Sequence, residues 1–93
     1  MTIGEIKNIL CSFVTKYSIT KIILFGSRAE GINNETSDVD LIIEFAIPVT
    51  LITLSKLKIE MEDALGLAVD LIHGPLTDED MIETRKEVIL YAA

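Results

Sequence analysis

Apolar residues Ile3, Ile6, Ile9, Leu10, Phe13, Val14 and Tyr17 recur at helical spacing, which predicts an amphipathic helix over residues 3–17. Thr2 and Glu5, three apart, have the pattern of a capping box at its start. "KIILF", residues 21–25, is a short β-branched apolar run and reads as a buried strand. The polar, glycine-bearing "GSRAEGINNETS" (26–37) predicts a turn, a short helix and a loop. "DVDLIIEF" (38–45) then alternates as a second strand. Asp38, Asp40, Ile42 and Glu44 share one side, and Val39, Leu41, Ile43 and Phe45 share the other, which reads as core.

After Pro48, Leu51, Leu54, Leu57, Met61 and Leu65 predict a second long amphipathic helix, with Gly66 at the place of a C-cap. "LAVDLI" (67–72) is a third strand, ended by "HGP". Thr77 with Asp80 three later resembles another helix start, and "DEDMIETRKEVILYA" carries the last helix. The expected architecture is α+β: a small mixed sheet of about three strands with helices packed on its core face, in one domain spanning 1–93.

Composition narrows the function without naming it. Apolar residues make up 49% and charged residues 25%, a globular rather than a disordered profile. Fifteen acidic against eight basic residues give a net charge of -7, which argues against direct nucleic-acid binding. A cationic partner or bound metal ions suit that balance better. The single Cys11 excludes an internal disulfide framework. With no run long enough to cross a membrane and no signal-peptide pattern at "MTIGEIKNIL", a cytoplasmic location is expected.

The chemistry is suggested where acids interrupt apolar strands. Asp38 and Asp40 open the second strand, and Asp70 interrupts the third between Val69 and Leu71. If those strands are neighbours, the three carboxylates face one cleft and need compensation, for which a hard ion such as Mg²⁺ is suited. Two such ions, roughly 4 Å apart, can hold the attacking and leaving oxygens of a phosphoryl transfer. Upstream, Gly26 and Ser27 directly follow the first strand, where glycine lets a phosphate approach the backbone and the serine hydroxyl adds a donor. Bringing both features together requires the first two strands to run antiparallel.

Gly26-Ser27, ten residues, then Asp38-Val39-Asp40, with Asp70 as a third acid, resembles the signature of the nucleotidyltransferase superfamily that includes DNA polymerase beta. The helix–strand order extends the resemblance over nearly the whole chain, to the minimal nucleotidyltransferases (MNT), many of them antitoxins encoded beside a HEPN-type ribonuclease toxin. The resemblance implies transfer of AMP from ATP to a tyrosine of that toxin, with two Mg²⁺ ions on Asp38, Asp40 and Asp70. Gly26 and Ser27 would hold the β,γ-phosphates, and Asp70 would accept the proton of the attacking hydroxyl. The chain departs from the family in Glu30, which stands before Gly31 where an arginine is common, with Arg28 nearby. A short chain leaves the acceptor to supply the missing substrate surface, which points to a docked protein. Two alternatives are a binding-only antitoxin with an inactive site and nucleotidylation of a small molecule.

Other residues carry plainer readings. "GSRAEGIN" lacks the Lys-Ser/Thr of a phosphate-binding P-loop. His73 ends a strand and reads as a turn residue, Cys11 as a small semi-buried one, and Glu44 as a solvated strand end. Arg85 and Lys86 read as helix surface.

Overall fold

The computed structural model describes residues 1–75 and 86–93. Its elements are α1 (Ile3–Cys11), α2 (Val14–Tyr17), β1 (Ile19–Phe25), α3 (Gly26–Glu30), β2 (Val39–Phe45), α4 (Leu51–Leu65), β3 (Val69–His73) and β4 (Val88–Ala92). The strands form one mixed sheet in the order β3-β2-β1-β4. β1 runs antiparallel to both β2 and β4, and β3 joins β2 in parallel through α4.

The capping box forms as the sequence suggests: the Glu5 amide donates to Thr2 Oγ1 and the Thr2 amide to Glu5 Oε1. The expected continuous first helix does not. It breaks after Cys11, where the Ser12 hydroxyl donates to the Ile9 carbonyl at 2.7 Å and competes with the helical ladder for that acceptor. Gly66 ends α4 with φ 70°, its amide donating to the Glu62 carbonyl at 2.8 Å.

Among the described residues the sheet has four strands where about three were expected, because "VILYA" is β4 and not the end of a helix. A short apolar run fits either period, and here β-branched residues meet the free edge of β1. The helix start expected at Thr77 and Asp80, the segment that follows it, and Arg85 lie outside the described residues. Lys86 is described and exposed.

One face of the sheet carries the core. Ile22 and Leu24 of β1, Val39, Leu41 and Ile43 of β2, and Val69 of β3 pack with Ile6 and Leu10 of α1 and with Leu57, Met61 and Leu65 of α4. At roughly 25 cal/mol per Å² of apolar surface removed from water, this layer is the main source of stability. Leu54 is only half-buried and Leu51 lies 81% exposed, so α4 packs through its last three turns rather than along its whole length. Among the described residues no helix is long and apolar enough to cross a membrane.

Candidate active site

The acidic residues lie on the other face of the sheet. Phe25 of β1 stands opposite Asp40 of β2, and Asp40 stands opposite Asp70 of β3. Backbone register alone therefore lines up the end of β1 with two of the three carboxylates. Strand alternation sends their neighbours Val39, Leu41 and Val69 into the core. Asp38 precedes β2 and is exposed.

Gly26 opens α3 at φ +72°, a left-handed conformation that favours glycine. A side chain there is also excluded by contact. A Cβ would lie 3.0 Å from Asp40 Cγ and closer still to Oδ2. The glycine is thus the reason the turn and the Asp40 carboxylate touch. Ser27 follows and is half-buried. α3 ends at Gly31, in the left-handed region at φ 75°, and Ile32 closes onto the Ser27 carbonyl at 3.1 Å.

From there the chain returns to β2 through a loop organised by Asn34. Its side-chain oxygen accepts from the Thr36 backbone amide at 2.9 Å, and its backbone N–H donates to Ser37 Oγ at 2.9 Å. Arg28 is buried, and its guanidinium donates to backbone carbonyls of this loop, so it is not the exposed phosphate ligand that its place in the motif allows.

Burial pushes the Asp40 carboxyl above its ordinary range, and the charges of Asp70 and Asp38 push it further. Asp70 and Asp38 are thus each near enough to act on Asp40, yet among the described residues no group of three or more His, Cys, Asp or Glu is assembled as a ligand cage. Oxygen donors without a full cage fit Mg²⁺, which is commonly held by one or two carboxylates together with substrate phosphates and water. The remaining candidates stand apart. His73 is exposed and stacks on Phe45 with ring centroids 5.4 Å apart. Glu44, half-buried, pairs in register with Lys21 near the far end of β2, and Cys11 is half-buried on α1.

Residues 3–91 match the model of the family described as nucleotidyltransferase domain. The chain belongs to that family. It is 33% identical to protein adenylyltransferase MntA of Thermococcus cleftensis, over 98% of this chain and 96% of that one. Among solved structures, a toxin–antitoxin with AMP-PNP superposes with a TM-score of 0.79 at 21% identity, covering 94% of this chain and 73% of that one. A second, of a tri-AMPylated Shewanella oneidensis HEPN toxin in complex with MNT antitoxin, gives a TM-score of 0.72 at 18% identity over 96% and 71%. At such identities the structures bear on the fold, and the fold agrees: this nucleotidyltransferase has their mixed sheet with helices on its core face.

Proposed function

We propose that this nucleotidyltransferase moves AMP from ATP to a hydroxyl of a docked protein, a tyrosine of a HEPN-type toxin, and so acts as its antitoxin. The observation that carries the reading is the position of Asp40, in contact distance of the Gly26 turn on one side and in register with Asp70 on the other. Phosphate-binding turn and acidic cluster then share one end of the sheet. The relative named protein adenylyltransferase and the fold shared with toxin–antitoxin chains support the acceptor class.

In this scheme Asp38, Asp40 and Asp70 would hold two Mg²⁺ ions, which neutralise phosphate charge and make the attacking hydroxyl more acidic. The backbone at Gly26 and the Ser27 hydroxyl hold the β,γ-phosphates. The acceptor oxygen attacks the α-phosphorus, the bond to the bridging β-phosphate oxygen breaks, and pyrophosphate leaves from the Gly26–Ser27 side. Asp70, exposed at the sheet edge, takes the hydroxyl proton. Glu30, exposed at the end of α3, favours a second reading, a partner that binds the toxin without transferring anything.

Intact-mass measurement with Mg²⁺, ATP and the product of the neighbouring gene separates the two. Added AMP units on the partner, lost with Asp38→Asn or Asp40→Asn, are the expected result. A stable complex with unchanged masses would leave the binding-only reading.

A further inference from the structure

Arg28 follows Ser27 directly on α3, yet it is only 2% exposed. Its Nε and Nη2 both donate to the Ser37 carbonyl, at 3.1 and 2.9 Å. Nη2 also reaches the Glu35 carbonyl at 3.3 Å, and Nη1 the Met1 carbonyl at 3.4 Å. Among the described residues no carboxylate pairs with it. Burying a permanent cation is costly, and here the compensation comes from backbone dipoles.

What those carbonyls belong to gives the arrangement its meaning. The loop spanning residues 31–38 connects the Gly26–Ser27 turn to the acidic pair, and Ser37 is the residue before Asp38. Asp40 is fixed inside the ladder, between β1 and β3. Asp38 is not. On its C-terminal side the Val39 amide donates to the Ala68 carbonyl at 2.9 Å, and on its N-terminal side the peptide is held by Arg28. One planar fork therefore links the proposed phosphate turn, the loop and Met1 ahead of α1, a reach that a single ammonium lacks.

We infer that Arg28 is a positioning residue, which sets Asp38 against the Gly26–Ser27 turn and thereby the geometry in which metal is bound, without itself touching nucleotide. The inference rests on the proposed metal-dependent transfer.

The test titrates Mn²⁺ against the wild-type chain, Arg28→Lys and Arg28→Ala by electron paramagnetic resonance, with melting curves and AMP transfer measured on the same samples. Arg28→Lys is expected to remain folded at the assay temperature and to bind Mn²⁺ roughly 10- to 100-fold more weakly, the cost of losing an outer-shell partner. Its kcat falls while KM for ATP changes little. Free guanidinium restores metal binding to Arg28→Ala, and adding Arg28→Lys to Asp38→Asn costs nothing further. Wild-type Mn²⁺ affinity and kcat in Arg28→Lys would overturn the inference. So would a raised KM for ATP with Mn²⁺ affinity unchanged, the signature of a phosphate contact, or metal binding lost only in proportion to unfolded chain. Absence of Mn²⁺ binding by the wild-type chain would instead overturn the proposed function on which the inference rests.

Discussion

The two ends of the sheet treat charge in opposite ways. At the Phe25 end, burial and the neighbouring Asp70 and Asp38 raise the Asp40 carboxyl. At the Ile19 end, Glu60 of α4 accepts from Lys16 Nζ at 2.5 Å and from the Tyr17 hydroxyl, and these bonds lower its carboxyl below the ordinary range. Tyr17 answers in kind. Burial first, then its bond to Glu60, push its hydroxyl up to about 12. One cluster satisfies its members and the other leaves like charges facing each other. Unrelieved repulsion on a sheet face is the mark of a place where something else is to be bound, whereas a paired cluster does packing work.

Asp40 is where the contrast between the two ends is greatest. Asp40→Asn should reduce AMP transfer by more than the roughly 10- to 100-fold typical of losing an outer-shell partner, because on the proposed scheme it removes a direct metal ligand. The same change should stabilise the metal-free chain at neutral pH. A carboxyl whose folded pKa is raised keeps its proton to higher pH than in the unfolded chain, so its ionisation withdraws stability as pH rises through that window. The advantage of Asn should therefore shrink as pH falls through the window just above the ordinary aspartate range and be gone below it, which paired melting curves across pH would record.

Gly26→Ala acts on the contact between turn and acid. Left-handed backbone costs a non-glycine residue about 1–2 kcal/mol, and the methyl also collides with Asp40. Loss of stability by denaturant melts, together with loss of transfer, is expected. Tyr17→Phe is the smallest change, removing one hydrogen bond at the paired end, worth about 1 kcal/mol. Stability should fall by that amount with transfer unaltered. A large effect of Tyr17→Phe on transfer would dissolve the distinction between the two ends.

Much of the site was legible because it depends on strand alternation and turn chemistry. Asp40 and Asp70 fall on the non-core face because Val39, Leu41 and Val69 need burial, and Gly26 marks a turn that only glycine fits. The antiparallel β1–β2 pair followed from requiring both motifs in one cleft. Other features depend on partners distant in sequence. "VILYA" becomes a strand only because β1 offers it an edge. Leu51 fits the helical period but, as the first residue of α4, stays exposed. Arg28 was invisible as an organiser since its acceptors are main-chain carbonyls, which no side-chain pattern announces.

The order β3-β2-β1-β4 has a consequence for how firmly the parts of the site are held. Asp40 lies within the central antiparallel β1–β2 pair, which has a neighbour on each side, and Gly26, Ser27 and Asp38 lie on the connection between those two strands. Asp70 arrives through the α4 crossover, on a strand that among the described residues is at the sheet edge and pairs with β2 alone. Edge strands open at lower free energy than central ones. The third carboxylate is accordingly the compliant member of the set, able to adjust to whatever lies between it and the central strand pair.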